Sequence, residues 1–505
     1  MMLIRKGLVV KTQEKKKLIF FILAFTGWIV GFAFTEIGFA KEARKPNVVI
    51  MLADNLGYGD LSSYNGGIRG EMRTPNIDKL AAEGMRLTQF LVEPGCTPSR
   101  SGLQTGRYSI RSGLSLVIAP GVDGGLAKDE YTIGEMFKSV GYATTYVGKW
   151  HLGPLARSQP QNQGYDQWLL GFNGSTDSTL YAQSMKQIGM PKSAIEKSEP
   201  QVFEAKGPGK VTRVRPYNVE YRKQIEADIA KTSTEYIRKQ AQTKEPFFLM
   251  IGWTRPHFPN ETMDQFKGAS KVNQYGDSVV ELDHHTGTVL KAIKDAGIED
   301  NTIVIWISDN GPTVTATSLN EIHAGDTGPF RGELGDAYEG SIRTAGMIKW
   351  PEKIKPTVSN EMFSIHDFLP TLAKIVEAKL PGERPIDGID QSEFLLGKQI
   401  HSSRNDLLTF IGDRLVAVRW KQFRFYPMQI SNARNNPARG GYLGIMQETA
   451  GFPQIYNIEA DPKEKVDIAI ESYGWTIAPY LKAIAKYQAT LKKYPNPPAG
   501  NVAKF

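Results

Sequence analysis

Two short apolar runs in this chain of 505 residues each end in the same pair of polar residues. The first run is followed by Asp54-Asn55, and the second, much later in the chain, by Asp309-Asn310. A continuous apolar run of this length is typical of a strand that is buried on both faces of a parallel sheet. Since ligands gather at the carboxyl ends of such strands, the two pairs are expected to face one site in an α/β fold.

Carboxylate and amide oxygens are the ligands that Ca²⁺ and Mg²⁺ prefer in proteins. Either pair, taken alone, would serve equally well as a turn or a helix N-cap. Two pairs at two strand ends supply four oxygen ligands with limited charge, which favours Ca²⁺. The sequence therefore predicts one calcium ion per chain at this edge of the sheet.

The only cysteine of the chain, Cys96, stands in the segment Gly-Cys-Thr-Pro-Ser-Arg. A lone cysteine is most often buried and structural. This one lies between a predicted strand and a predicted helix start, where unpaired N–H groups favour an anion and lower the pKa of a thiol. Arg100 and Arg107 add cations that suit a tetrahedral oxyanion. The segment therefore predicts an anion site.

The run from Gly95 to Arg107 resembles the signature of the type I, formylglycine-dependent sulfatases. The order of the other motifs agrees with that family over roughly residues 46–495. The resemblance implies an alkaline-phosphatase-like α/β fold, with a mixed sheet sandwiched between helices and a small C-terminal antiparallel sheet plus one helix. It also implies that a formylglycine-generating or anaerobic sulfatase-maturating enzyme oxidises Cys96 to formylglycine.

Carried over residue by residue, the resemblance implies a metal site and a catalytic group. The implied metal ligands are Asp54, Asn55, Asp309, Asn310 and Cys96. The implied catalytic residues are Cys96, Arg100, Lys149, His151 and His257.

A sulfate ester needs cations on its oxygens, a strong in-line nucleophile and a proton for the departing oxygen. Arg100 is expected to support the hydrated aldehyde, and Lys149 and His151 to flank the nucleophile and the sulfate. His257 is expected to give the leaving group its proton. His151 is the expected base when the sulfated intermediate collapses back to the aldehyde.

Two positions depart from the family pattern. Asn55 stands where many members have a second aspartate, and the lost charge is expected to weaken metal binding somewhat. Leu334 stands where many members have a lysine that touches the sulfate and the leaving group. His323 and Arg331 are the substitutes suggested by proximity in the sequence.

The first forty residues predict export. Lysines precede an uncharged stretch, residues 18–35, and Gly38-Phe39-Ala40 offers a cleavage site. Removal of residues 1–40 takes away six cations and two anions, so the net charge falls from +8 to +4. A nucleic-acid partner is therefore not expected. A membrane contact is expected only if this segment stays uncleaved as an anchor. The predicted location is the bacterial periplasm or the exterior.

Three parts are predicted along the chain. They are a signal peptide (1–40), a catalytic domain (41–401) and a small α+β subdomain (402–505). Periodicity weakens at about residues 159–221, which predicts an insertion at the substrate rim. Residues 206–215 are basic and would suit an acidic substrate, although an ordinary solvated loop has the same composition.

The predicted function is hydrolysis of aryl or carbohydrate sulfate esters. A phosphonate monoester or phosphodiester hydrolase is the alternative, because some relatives with the same signature cleave those esters. A catalytically silent binding protein is a third hypothesis, which only Leu334 favours.

Overall fold

The computed structural model describes residues 44–65, 69, 71–118, 123–209, 211–314, 317–318, 321–322, 325–430, 446–449 and 451–498. The predicted signal peptide lies outside these residues. Within them, no helix combines the length and the hydrophobicity that a membrane span requires.

Strands make up the centre of the molecule. In chain order they are β1 Asn47–Asp54, β2 Met85–Leu91, β3 Ala143–Lys149, β4 Gln167–Phe172, β5 Gln201–Lys206, β6 Thr212–Pro216, β7 Phe247–Pro256, β8 Thr302–Ser308, β9 Thr317–Ser318, β10 Glu321–Ile322, β11 Arg343–Lys349, β12 Thr357–Ser364, β13 Asp406–Ile411, β14 Arg414–Trp420, β15 Phe423–Tyr426, β16 Met428–Ile430, β17 Met446–Glu448 and β18 Gln454–Asn457. Ten of them form one mixed sheet in the order β12-β2-β11-β8-β1-β7-β3-β4-β5-β6.

Helices cover the sheet and connect its strands. They are α1 Ser62–Asn65, α2 Pro75–Glu83, α3 Cys96–Thr105, α4 Ile133–Ser139, α5 Tyr181–Gln187, α6 Lys192–Ser198, α7 Val219–Arg222, α8 Ile225–Gln240, α9 Gln274–Asp295, α10 Glu339–Ile342, α11 Phe368–Ile375, α12 Ser392–Leu395 and α13 Ala469–Leu491.

The two strands that end in Asp-Asn lie side by side in the middle of the large sheet. β1 pairs in parallel with β8, with Ala53 opposite Ser308. β1 also pairs in parallel with β7, which in turn pairs in parallel with β3. The carboxyl ends of these four strands therefore meet at one edge, which we call the carboxyl edge. The sequence-based prediction of two adjacent Asp-Asn pairs is confirmed.

Both faces of the large sheet are buried, which is why its central strands are continuously apolar. Along β1, Val48, Ile50 and Leu52 join one apolar cluster with residues of α3, α4 and α11. Val49 and Met51 join a second cluster with residues of α2, α8 and α9. The predicted arrangement of a mixed sheet between helices is confirmed.

A smaller antiparallel sheet follows in the chain, with strand order β13-β14-β15-β18. Its residues Leu407, Phe410 and Phe425 share an apolar cluster with Tyr480 and Tyr487 of α13. This agrees with the predicted small sheet plus one helix. The boundaries predicted for the three parts of the chain stay predictions.

Two segments differ from what their local pattern indicates. Residues 159–221, which lack clear periodicity, supply β4, β5 and β6 to the edge of the large sheet. The sequence also favours a helix over residues 362–378, but its start belongs to β12, which pairs in parallel with β2. In both cases pairing with a distant strand outweighs the local preference.

Candidate active site

The predicted site residues converge on the carboxyl edge. Asp54 ends β1, Lys149 ends β3, and His257 directly follows β7. Asp309 directly follows β8, and Cys96 begins α3 after β2. Parallel pairing brings these strand ends together although the residues lie far apart in the chain.

The five predicted metal ligands form one buried cluster. The Sγ of Cys96 lies 3.6 Å from Oδ1 of Asp54 and 3.5 Å from Oδ1 of Asn55. The amide of Asn310 donates to Oδ1 of Asn55 at 2.7 Å, and the backbone N–H of Asn55 donates to Oδ1 of Asp309 at 3.1 Å. All five side chains are buried.

The donor set fits a hard cation. The Oδ1 atom of Asn310 is buried, and it accepts no hydrogen bond from the described residues. An acceptor buried in this way costs about 1–3 kcal/mol, which a bound cation would offset. Asp54, Cys96 and His257 also hold ligand-type atoms within 4.8 Å of one another. The oxygens of the two Asp-Asn pairs nevertheless favour Ca²⁺ over a softer metal.

Two cations are fixed within the cluster. The Nζ of Lys149 lies 2.8 and 2.6 Å from the two carboxylate oxygens of Asp54. Arg100 donates through Nε to Asp309 at 3.0 Å and through Nη1 to the carbonyl of Lys149 at 2.8 Å. Burial would raise the pKa of Asp54, but Lys149, His257 and Arg100 hold it well below its ordinary value. Asp54 is therefore ionised at neutral pH.

The pKa of Cys96 differs from its predicted direction. Burial raises the pKa of the thiol well above its ordinary value, although Lys149 and Arg100 act in the opposite direction. Asp309 and Asp54 raise it further. The predicted lowering by the helix N-terminus is therefore wrong, because desolvation of the thiolate outweighs it. An unmodified thiol at this position stays protonated and is a poor nucleophile.

Both predicted histidines are buried and neutral. Burial lowers the pKa of His151 well below its ordinary value, and Lys149 lowers it further. Its Nε2 lies 3.3 Å from the carbonyl of Ile118, whereas Nδ1 has no partner among the described residues. Burial also lowers the pKa of His257, although Asp54 raises it. The Nδ1 of His257 lies 2.7 Å from the carbonyl oxygen of Phe258.

Two residues that the sequence interpretation missed complete the cluster. The hydroxyl of Thr176 donates to Oδ2 of Asp54 at 2.8 Å. The hydroxyl of Ser175 lies 3.1 Å from Nε2 of His257. Both follow β4, whose carboxyl end reaches the same edge as that of β3. The polar turn Asn-Gly-Ser-Thr after an apolar strand was the signal that could have marked them.

Comparison with known proteins identifies the family. The Sulfatase family model matches residues 46–378, which is more than half of the chain. The chain belongs to the sulfatase family. Arylsulfatase A of Homo sapiens is 36% identical over 375 residues, which cover 70% of this chain and 68% of that protein.

Two further sulfatases match this chain over nearly its whole length. Steryl-sulfatase of Rattus norvegicus is 30% identical over 537 residues, which cover 90% of this chain and 91% of that protein. The crystal structure of the PsFucS1 sulfatase from Pseudoalteromonas sp. superimposes with a TM-score of 0.83 at 30% identity, covering 91% of this chain and 93% of that one. The alkaline-phosphatase-like fold is thus confirmed, and the reaction class is hydrolysis of sulfuric esters. The roles of the individual site residues stay predictions.

Leu334 lies at the rim of the sulfatase site. Its N–H donates to the carbonyl of Pro312 at 2.8 Å, and the next N–H, from Gly335, donates to the carbonyl of Pro94 at 3.0 Å. The guanidinium of Arg331 is engaged elsewhere, 3.9 Å from the ring centre of Tyr338. His323 lies outside the described residues. The suggestion that Arg331 replaces the missing lysine is therefore not supported, and the suggestion for His323 stays a prediction.

Proposed function

We propose that this sulfatase is an exported enzyme that hydrolyses sulfate monoesters with a formylglycine at position 96 and one calcium ion. The supporting observation is the position of Cys96, whose Sγ lies within 3.6 Å of oxygens of Asp54 and Asn55. A nucleophile that forms there would stand directly beside a bound cation and two fixed basic side chains.

The formylglycine and the calcium ion would supply distinct chemistry. Oxidation of the Cys96 side chain by a maturating oxidase would supply an aldehyde, whose hydrate carries a hydroxyl nucleophile. A calcium ion held by the two Asp-Asn pairs would withdraw charge from the sulfate oxygens.

The basic side chains of the site bind and orient the ester. Lys149 and Arg100 are buried, and their carboxylate partners fix them in position. Cations preorganised in this way stabilise charge that develops on sulfate oxygens without further rearrangement.

The histidines move protons at defined atoms. His257 donates its Nδ1 proton to the carbonyl of Phe258, so Nε2 faces the site as the second ring nitrogen. In the neutral imidazole Nε2 accepts a proton, and it protonates the departing oxygen from the imidazolium form, in which both ring nitrogens carry a proton. Ser175 holds Nε2 in position. His151 directs Nε2 towards the carbonyl of Ile118, so its unpartnered Nδ1 is the proton acceptor.

Mass spectrometry of the tryptic peptide of residues 87–100 tests the nucleophile. Relative to the unmodified peptide, we expect a loss of about 18 Da, because sulfur and two hydrogens leave and one oxygen enters. The calculated mass of the peptide with an intact thiol is the unmodified reference. An intact thiol in active protein purified from its own host would contradict the proposal.

Hydrolysis of phosphonate monoesters or phosphodiesters is the competing activity, because some relatives with the same Cys-x-Pro-x-Arg signature cleave those esters. The two activities are separated by kcat/KM for 4-nitrophenyl sulfate and for 4-nitrophenyl phenylphosphonate. A higher value for the sulfate ester supports the proposal, and a higher value for the phosphonate contradicts it.

Export is also part of the proposal, supported by the pattern of residues 1–40. N-terminal sequencing of the protein from the periplasm of its host should begin at Lys41. A mature protein that retains Met1 would contradict cleavage.

A further inference from the structure

The outer strand of the large sheet is unusually open. Among the residues that the structure describes, β6 pairs only with β5, and all five residues of β6 are exposed. The opposite side of β6 therefore carries backbone groups that no described strand pairs.

The exposed strand is basic. It carries Arg213 and Arg215, and Lys206 is exposed at the end of the neighbouring strand. Glu204 is the one acidic residue between positions 201 and 216. Within the described part of the chain, neither arginine of β6 forms an ion pair, and Arg215 lies 4.6 Å from the ring centre of Tyr221.

A bulge places the two arginines on both sides of the free edge. Val202 pairs with Arg215 and the adjacent Phe203 pairs with Arg213, so β6 has one extra residue between them. Because paired residues share a face and successive residues of β5 alternate, the two guanidiniums lie on opposite faces. A bulged, charged edge resists pairing with another strand, but its arginines can bind an anionic chain that lies along the edge.

The basic strand leads to the active site. β4, β5 and β6 alternate in direction, so β6 ends at Pro216 on the carboxyl edge, where β4 also ends. The next residue, Tyr217, is buried, and its ring centre lies 4.3 Å from that of Phe172, the last residue of β4. Ser175 and Thr176, which contact the catalytic cluster, follow shortly after Phe172.

We propose that β6 is a docking surface for a multiply sulfated carbohydrate chain. One sulfate ester of that chain lies in the active site, while neighbouring sulfates of the same chain bind Arg213 and Arg215. This inference rests on the proposed function and narrows its substrate class. Guanidinium groups bind sulfate oxygens in a bidentate manner, and the charge of the edge is complementary to such a chain. A single aryl sulfate has no second anionic group to use this surface.

The test compares binding of dextran sulfate by the wild-type protein and by the R213A/R215A variant. Fluorescence polarisation with labelled dextran sulfate gives Kd at several salt concentrations. Inhibition of 4-nitrophenyl sulfate hydrolysis gives Ki. We expect Kd and Ki to rise about tenfold when two exposed charge contacts are lost. The dependence of log Kd on log salt concentration should also become less steep.

Two further variants serve as controls. K482A/K486A removes two exposed cations from α13 and should bind dextran sulfate like the wild type. R213K/R215K keeps both charges and should retain most of the binding. Uncharged dextran should bind none of the proteins.

The outcomes are distinguishable. Unchanged Kd in R213A/R215A, or equal losses in R213A/R215A and K482A/K486A, would overturn the docking surface alone. Aggregation of R213A/R215A with unchanged Kd would also overturn it, because the arginines would then only prevent strand pairing. Absence of sulfate ester hydrolysis by the wild-type protein would overturn the proposed function itself.

Discussion

At the scale of single residues, the charge that faces a substrate is set by few side chains. Lys149 and Arg100 each lie against a carboxylate, Asp54 and Asp309 respectively. Part of their positive charge is therefore already compensated within the site. Leu334 at the rim is uncharged and adds no further cation.

The L334K variant should bind sulfate esters more tightly. A lysine at this half-buried position would add a cation, and one such contact contributes up to about 1 kcal/mol. We expect KM for 4-nitrophenyl sulfate to fall about threefold to fivefold. L334M, which adds no charge, is the control, and an equal fall in KM in both variants would contradict the explanation.

The N55D variant should bind calcium more tightly. A second carboxylate beside Asp54 adds a negative charge to the ligand set, and ligand charge is one determinant of Ca²⁺ affinity. Isothermal titration of metal-stripped protein should show Kd lowered about tenfold. N405D adds the same charge at an exposed position and should leave Kd unchanged. Weaker binding in N55D would contradict this prediction.

At the scale of elements, the start of α2 depends on a carboxylate from another helix. Asp283 of α9 accepts the backbone N–H groups of Asn76 at 3.0 Å and Ile77 at 2.8 Å. Burial raises the pKa of Asp283 to about 6, although these donors lower it. The contact between α2 and α9 therefore depends on the protonation of Asp283, and so on pH.

The sign of this dependence follows from the raised pKa. Between about pH 4 and pH 6 the folded state binds the Asp283 proton more tightly than the unfolded state does. The free energy of unfolding should therefore fall as pH rises through this window, by about 2–3 kcal/mol from this group. Urea unfolding gives the free energy of unfolding of the wild type and of D283N at each pH. The difference between the two values should change between about pH 4 and pH 6 and stay constant above pH 6. D295N, at an exposed position of the same helix, should show no such change.

At the scale of the whole molecule, the C-terminal part holds the loop that carries Leu334. Glu464, which lies between β18 and α13, accepts the backbone N–H of Glu339 at 3.0 Å. Its own carbonyl accepts a hydrogen bond from Arg331 at 3.1 Å. The Nζ of Lys463 also donates to the carbonyls of Gly328 and Phe330. The rim of the active site is thus fixed from outside the large sheet.

The E464A variant should disturb the rim as well as stability. Loss of the buried carboxylate leaves the N–H of Glu339 without its acceptor, at about 1–3 kcal/mol. The hydroxyl of Tyr426 also loses this acceptor and keeps, among the described residues, only the carbonyl of Ala337, at 3.5 Å. We expect a lower midpoint of thermal unfolding and a raised KM for 4-nitrophenyl sulfate. E464Q should retain part of both properties, and E459A, exposed in the same segment, should match the wild type. Reduced stability with unchanged KM would contradict a role in positioning the rim.

The sequence by itself determined the central strands and the family. Strands β1 and β8 were predictable because only burial on both faces requires such continuous apolar runs. Their Asp-Asn ends marked the buried polar cluster at the carboxyl edge. The signature around Cys96 was sufficient to predict the sulfatase family.

Only the tertiary structure decided how the site is completed. Ser175 and Thr176 reach it because residues 159–221 extend the large sheet, a pairing that no local periodicity indicates. The pKa of Cys96 rises because the packed chain excludes water from the thiol, which outweighs the effect of its place at a helix start. Burial and contacts between distant segments arise from the packing of the whole chain, and a local pattern does not contain them.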